Sequence, residues 1–151
     1  MKLTLPALIL LLSLCAVCIG AVASSGLLVV PAHAEIPNHR TQVFEAEAFA
    51  AAQAEGRPIL VDITASWCPT CRRQGEILGQ LVEREAFADL VIFEVDWGGQ
   101  RDTARSFGAQ RQSTLIVYRG ERETGRLVAA TREADIEALL SSAYGDASGV
   151  Y

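Results

Sequence analysis

The sequence predicts an α/β domain, because strand-like and helix-like apolar patterns alternate along the chain. Residues 59–64 are apolar on both faces except at Asp62, as expected of a central strand in a sheet that is covered on both sides. A helical pattern begins soon after, at Pro69, and a hairpin pattern and another helical pattern follow further along. Such alternation is typical of α/β proteins.

The first predicted element is a helix over residues 43–54. Its apolar positions recur at helical spacing and are Phe44, Ala48, Phe49 and Ala52. Gly56 and Pro58 then end the run, and the central strand over residues 59–64 follows.

The second predicted helix begins at Pro69, whose missing N–H costs nothing in a first turn. This start places Cys68 at the helix N-terminus. One face is continued by Gln74, Ile77, Leu78, Leu81 and Val82. Gly75 and Gly79 each weaken the helix by about 1 kcal/mol relative to alanine, which indicates either close packing against the sheet or simple tolerance.

The remaining pattern predicts a strand over residues 90–95, a loop over 96–99 and a short polar segment without a regular element. Residues 115–118 and 125–129 then predict a hairpin. A last helix is expected to bury a face formed by Ile136, Leu139, Leu140, Ala143 and Tyr144.

Residues 1–34 have the pattern of a secretory signal peptide. Lys2 precedes a long apolar run, and Ala32-His33-Ala34 supplies the small side chains that a signal peptidase accepts. We expect cleavage before Glu35; the alternative is an uncleaved membrane anchor, for which residues 7–23 are long enough. Both alternatives place the folded part outside the cytoplasm, in the periplasm.

Length and charge limit the possible organisation and partners. We expect one domain over residues 41–145, between a short linker over 35–40 and a tail over 146–151. The chain has 13 basic and 18 acidic residues and a net charge of −5. Its arginines are scattered, so nucleic acid is not an expected partner.

Cys68 and Cys71 are the only cysteines beyond residues 1–34. His39 is the single histidine of that part, so a zinc site lacks ligands, and no metal is expected. A covalent haem requires histidine where Arg72 stands, and two thiols are too few for an iron–sulfur cluster, so no cofactor is expected. A disulfide remains. Because so short a loop stabilises little when closed, we favour a redox-active Cys68–Cys71 disulfide over a structural one.

The position of Cys68 suits thiol–disulfide exchange, which requires a thiolate. A helix N-terminus stabilises negative charge, so Cys68 is expected to be an accessible, partly ionised nucleophile. Cys71 lies one helical turn further on and is expected to be shielded. Its expected role is to attack the mixed disulfide that forms at Cys68.

The segment ILVDITASWCPTCRR resembles the strand and active-site segment of the thioredoxin family, in its apolar strand, its acid, its tryptophan and its basic residue after the second cysteine. The resemblance implies the thioredoxin fold, a central mixed sheet flanked by helices. It also implies a thiol:disulfide oxidoreductase that acts on protein thiols and disulfides. Most similar are small periplasmic domains such as the C-terminal domain of the transmembrane thiol:disulfide interchange reductases, which suggests a membrane electron donor. We expect a monomer.

The resemblance also implies a role for Asp62. Asp62 is expected to be a buried carboxyl beneath Cys71 that exchanges a proton with this resolving thiol. Desolvation is expected to raise the pKa of the carboxyl. The alternative is a solvated strand end. Many thioredoxins have a lysine near this acid, but Ile92 stands there, so Asp62 is expected to be more strongly desolvated or to depend on water alone.

Six residues are implied to bind substrate or shape the site: Trp67, Pro69, Thr70, Gln112, Ser113 and Thr114. Trp67 has ordinary core filling as its alternative role. Ser113 replaces the cis-proline of the family. Because a non-proline cis bond costs about 2.5–4 kcal/mol, we expect the Gln112–Ser113 bond to be trans. The Ser113 hydroxyl is expected to hydrogen-bond the Cys68 thiolate, or else to be a tolerated loop serine.

Two functions from different classes stay open. The first is an extracytoplasmic thiol:disulfide oxidoreductase that reduces the disulfides of other proteins. Cys71 and Ser113 are too close in sequence to admit the inserted helical domain of the strong periplasmic oxidases. The second is a non-enzymatic binding module on the thioredoxin scaffold, with a structural disulfide.

Overall fold

Strands and helices alternate as the sequence predicts. The computed structural model describes residues 41–145. Its strands are β1 (Thr41–Val43), β2 (Pro58–Thr64), β3 (Val91–Asp96), β4 (Thr114–Arg119) and β5 (Arg122–Val128). Its helices are α1 (Ala46–Ala54), α2 (Pro69–Leu81), α3 (Arg101–Ser106) and α4 (Glu133–Ser141), with a 3-10 turn at Glu85–Phe87.

The five strands form one mixed sheet in the order β1-β3-β2-β4-β5, with β2 at its centre. Strands β1 and β2 run parallel to β3, whereas β4 runs antiparallel to β2 and β5. Thr64 and Asp96 are paired at the ends of β2 and β3, and the Trp97 N–H donates to the Thr64 carbonyl at 2.8 Å. The segments that follow these two strands therefore leave the same edge of the sheet, where functional sites of α/β proteins form.

Side chains of β2 alternate between two buried clusters, which confirms a strand covered on both sides. Ile59, Val61 and Ile63 pack in a cluster with Ala52 of α1 and Ala104 of α3. Leu60 packs in the other cluster, with apolar residues of α2 and α4. The sheet is thus the middle layer between two pairs of helices.

The predicted first helix began too early. Val43 belongs to β1 and pairs with Glu94, and its side chain is 67% exposed. An edge strand of three residues is too short to show a period of two, so the helical spacing of Phe44 and Ala48 extended the prediction across it. The end of α1 is as predicted, because Gly56 takes a φ of 67° that favours glycine.

Three other elements differ from the prediction, the first being β5, which begins at Arg122 and not at residue 125. The polar segment after the 96–99 loop forms α3, whose single buried residue, Ala104, gives too weak a periodic signal to predict a helix. The last helix ends at Ser141, and beyond it Ala143 is buried as predicted, whereas Tyr144 is 36% exposed and contacts the Phe87 ring.

No helix within residues 41–145 is long and apolar enough to cross a membrane. The predicted signal peptide or anchor, the linker and the tail lie outside the described residues.

Candidate active site

Cys68 and Pro69 begin α2 as the sequence predicts. Cys68 is the N-cap, with an extended backbone, and Pro69 occupies the first turn. The Cys68 sulfur accepts a hydrogen bond from the Cys71 N–H at 3.3 Å. Capping normally uses a side-chain oxygen; here the reactive sulfur takes that place, so the backbone donors at the start of the helix point at it.

The hydroxyl of Ser113 lies between the two sulfurs. Both cysteines are free thiols, and the Ser113 Oγ is 3.1 Å from each Sγ. A hydroxyl has one proton to donate and can accept as well. When Cys68 is a thiolate, the Ser113 hydroxyl donates to its sulfur. The predicted contact between Ser113 and Cys68 is therefore present, and it extends to Cys71.

These contacts set the pKa of Cys68. Burial raises this pKa, but hydrogen bonds from the side chains of Cys71 and Ser113 and from the backbone N–H groups of Cys71 and Thr70 outweigh burial, and they lower the pKa from 9.0 to about 7. Each of these donors stabilises the thiolate more than the thiol. A substantial fraction of the Cys68 side chains is therefore ionised at neutral pH.

The expected difference in exposure between the two thiols is absent. We predicted an accessible Cys68 and a shielded Cys71, but the residues are 4% and 6% exposed, respectively. The reason is Ser113, which is itself 1% exposed and packs against both sulfurs. Hydrogen bonding, not exposure, distinguishes Cys68 from Cys71.

Ser113 has an unusual backbone. The Gln112–Ser113 bond is trans, as expected, and Ser113 has a φ of 60°, in the left-handed region that costs a non-glycine residue about 1–3 kcal/mol. Its carbonyl accepts a hydrogen bond from the Ala129 N–H at 2.8 Å and another from the Gln74 side chain at 3.4 Å. These bonds hold the conformation that directs the hydroxyl to the sulfurs.

Gln74 is a residue of the site that sequence reasoning assigned only to a helix face. It is 0% exposed, and its Nε2 donates to the Ser113 carbonyl and, at 3.0 Å, to the Ala130 carbonyl. Its Oε1 is buried without a hydrogen-bond partner among the described residues. The available signal was an amide within an otherwise apolar helix face, since a buried polar group normally has partners to hold.

The other site-shaping residues have different surroundings. Trp67 is 64% exposed beside Cys68, so core filling is not its role. Pro69 is exposed and Thr70 is half-buried. Thr114 turns its hydroxyl to the Arg111 carbonyl at 2.8 Å and begins β4, and the half-buried Gln112 has no described side-chain contact.

Asp62 lies on the face of β2 that α2 covers. Its side chain is half-buried, but its Oδ1 is fully buried and has no hydrogen-bond partner within residues 41–145. Burial, and secondly the negative charge of Glu94, raise its pKa from 3.8 to about 7. Glu94 is its neighbour in register on β3. Because the position of the family's lysine holds the buried Ile92, the nearest partner in the sheet is an acid.

A cavity of about 170 Å³ reaches Asp62 between α2 and the sheet, and Glu94, Gly75 and Gly79 also line it. A Cβ at either glycine would meet no atom within 4 Å, so the close packing suggested by the sequence is wrong. The two glycines leave room beside the carboxyl, and a cavity of this size with two acidic side chains has room for water.

Comparison with known proteins agrees with this geometry. The thioredoxin family model matches residues 40–142. Thioredoxin H-type of Brassica oleracea is 32% identical over 112 residues, which cover 74% of this chain and 88% of that protein. Thioredoxin of Mycobacterium bovis is 30% identical over 88 residues, or 58% of this chain and 75% of that one.

Solved structures have the same fold. The crystal structure of Trxlp from Edwardsiella tarda superposes with a TM-score of 0.64 at 37% identity, over 66% of this chain and 97% of that one. Thioredoxin homologues are disulfide oxidoreductases. The similarity therefore favours a redox-active Cys68–Cys71 pair over a structural disulfide in a binding module. The chain belongs to the thioredoxin family of disulfide oxidoreductases.

Proposed function

We propose that this protein reduces disulfides of other proteins outside the cytoplasm, with Cys68 as the nucleophile and Cys71 as the resolving thiol. The observation that carries the proposal is the set of hydrogen bonds on the Cys68 sulfur, which lowers its pKa to about 7. Among C-x-x-C proteins a nucleophile with a pKa near 7 accompanies a reducing potential, whereas a pKa near 3.5 accompanies strong oxidants. That comparison supports the reducing direction of the proposal.

The reaction proceeds in two exchanges. The Cys68 thiolate attacks one sulfur of the substrate disulfide, forms a mixed disulfide and releases the other substrate sulfur as a thiolate, which takes up a proton. Cys71 then loses its proton and attacks the Cys68 sulfur, which releases the second substrate thiol. Two electrons pass to the substrate, and the enzyme is left with a Cys68–Cys71 disulfide.

Two residues assist the second exchange. The Ser113 hydroxyl, 3.1 Å from both sulfurs, keeps Cys71 hydrogen-bonded next to the bond that it must attack. Asp62, whose carboxyl lies beside the cavity under the helix that carries Cys71, accepts the Cys71 proton, since a carboxyl with a pKa of about 7 can take up or release a proton near neutral pH.

Location and electron donor rest on the first 34 residues. Their signal pattern supports export to the periplasm, and an exported reductase needs a membrane electron donor, because no soluble thiol pool restores it there. N-terminal sequencing of the protein from periplasmic and membrane fractions tests this part. A mature start at Glu35 indicates cleavage, an intact N-terminus in the membrane indicates an anchor, and recovery from the cytosol refutes export.

Trapping experiments test the roles of the cysteines. Cys71→Ser is expected to accumulate mixed disulfides with protein substrates, because the nucleophile still attacks and nothing resolves the product. Cys68→Ser is expected to be inactive and to trap none. Equal inertness of both variants contradicts the assignment.

A further inference from the structure

A pocket that the thiol chemistry does not use lies on one side of α3. Its volume is about 380 Å³, and its lining residues are Trp97, Arg101, Arg105, Gly108, Ala109 and Gln110. The first of these follows β3, and the last three lead towards β4.

The lining of this pocket is linked to the thiol pair through a shared buried cluster and through the chain that leads to Ser113. Trp97 and Ala109 belong to the same buried cluster as Cys68 and Cys71. Gln110 precedes Ser113 by three positions, so their Cα atoms are within about 11 Å of each other. A protein that presents a disulfide to Cys68 therefore has neighbouring residues within reach of the pocket.

The pocket has two arginines whose hydrogen-bonding capacity is largely unused. The Arg101 guanidinium lies 4.5 Å from the centre of the Trp97 ring, and its Nε donates to the Trp97 carbonyl at 3.3 Å. Arg105 pairs with Asp102 at 3.2 Å, but the Asp102 side chain is 98% exposed, and such a pair contributes little. Among residues 41–145, the remaining N–H groups of both guanidinium groups have no acceptor.

The arrangement is held in place on the protein side. Trp97 is only 9% exposed, and its backbone N–H donates a hydrogen bond to the Thr64 carbonyl. The guanidinium of Arg101 therefore stacks on a ring that is already held in place. Asp96, which directly precedes Trp97, accepts hydrogen bonds from the backbone N–H groups of Gly98 and Gly99.

We propose that this pocket binds the carboxylate of an aspartate or glutamate side chain that lies close to the target disulfide of the protein substrate. The guanidinium fork matches a carboxylate, and hydrogen bonds between them are charge-assisted. A polyanion such as nucleic acid is disfavoured by the net charge of −5, whereas a single carboxylate meets only the local positive charge. The inference rests on the proposed reductase function and adds a substrate preference to it.

The test uses pairs of peptides with one internal disulfide, identical except for Glu or Gln at each position flanking the cystine. The ratio of kcat/KM for Glu over Gln peptides is measured for the wild type, for Arg101→Gln/Arg105→Gln and for Arg119→Gln/Arg122→Gln. The last variant is matched in charge and lies at the β4–β5 turn. For at least one position we expect a ratio of about ten in the wild type and in Arg119→Gln/Arg122→Gln. The ratio should fall to about one in Arg101→Gln/Arg105→Gln, and also in the wild type at high salt.

A ratio of one in the wild type at every position, or an unchanged ratio in the pocket variant, overturns the inference. Reduction of both peptides without preference leaves the reductase function intact, so the two failures are distinguishable. If neither peptide is reduced, the function fails instead, and NMR titration of the Trp97 indole N–H with a cysteine-free Glu peptide decides on the pocket. A shift with the Glu peptide but not with its Gln counterpart supports the carboxylate site, and equal responses refute it.

Discussion

Ser113 replaces the proline expected at its position, and the replacement changes the chemistry available to the thiols. A proline has neither an N–H nor a hydroxyl, and its φ is fixed near −65°, whereas Ser113 has a φ of 60° and contacts both sulfurs through its Oγ. The hydroxyl stabilises the Cys68 thiolate, and therefore the reduced state of the pair.

Ser113→Ala is expected to raise the pKa of Cys68 and to make the pair more reducing. Loss of a hydrogen bond to a charged group costs about 1.5 kcal/mol or more, so alkylation of Cys68 at pH 7 should slow about fivefold. The measurement is the pH dependence of the alkylation rate, with the exposed Ser141→Ala as control. If rate and redox potential are both unmoved, Ser113 is a tolerated loop serine after all.

Asp62 makes the stability of the domain depend on pH. Its pKa is about 7 in the folded protein against 3.8 ordinarily, so the folded state holds the proton more tightly than the unfolded state. Stability from this group is therefore full below pH 3.8 and is lost as the pH rises through 7.

Between pH 5 and pH 8 the free energy of unfolding of the wild type is expected to fall by about 2 to 3 kcal/mol because of Asp62, and Asp62→Asn should lack this fall. Unfolding in urea at each pH measures it. The effect of Cys68 ionisation is common to both proteins and cancels in the comparison. Asp102→Asn, at an exposed carboxylate, should keep the wild-type dependence. Parallel pH profiles for wild type and Asp62→Asn would mean that the carboxyl is ionised at its ordinary pKa.

At the scale of elements, α2 joins the thiols to the Ser113 segment. The helix supplies Cys71 on its first turn and Gln74 on the next, so one rigid element holds the resolving thiol and the amide that bonds the Ser113 carbonyl. A shift of this segment would take the hydroxyl away from the sulfurs.

Gln74→Leu is therefore expected to raise the pKa of Cys68 by releasing Ser113. In a Ser113→Ala background the same change should leave this pKa unmoved, because the residue acts only through the hydroxyl. Gln80→Leu, on the exposed side of the same helix, is the matched control. An equal effect in both backgrounds contradicts a positioning role.

The two glycines of α2 offer a second test at this scale. Gly75→Ala places its Cβ in open space and removes backbone entropy from the unfolded chain, so it should stabilise the domain by about 0.5–1 kcal/mol. It also narrows the cavity at Asp62, which should slow resolution of the mixed disulfide in single-turnover kinetics. Gly125→Ala is the contrasting variant, since its Cβ would meet the Leu139 side chain at 3.0 Å and should destabilise the protein. Unchanged or faster resolution in Gly75→Ala would remove the cavity from the mechanism.

At the scale of the whole molecule, the redox potential summarises these contacts. From a nucleophile with a pKa of about 7 we predict a potential closer to the thioredoxin value of about −270 mV than to that of the strong oxidants at about −120 mV. Equilibration with glutathione buffers, followed by alkylation of free thiols, measures the potential. A value near −120 mV would reverse the proposed direction of electron flow.

The sequence alone determined the central strand, the helix start at Pro69, the reactive pair and its family, because these depend on local patterns and short spacings. Its errors were at β1 and α3, short elements with a weak period of their own that are stabilised by packing on β3 and on the core. The exposure of the two thiols was also beyond local sequence, since it depends on a segment 42 and 45 residues away.

Only the tertiary structure decided how the site is assembled. The Ser113 hydroxyl between two sulfurs, the Gln74 bond across 39 residues and the pairing of Asp62 with Glu94 all join distant segments. Residue identity made each contact possible, as with Ser113 and Cys68, but strand register and the path of the loop selected it. Hydrogen bonds and desolvation act over a few ångströms, so the pKa values that control the chemistry depend on which segments the fold brings together.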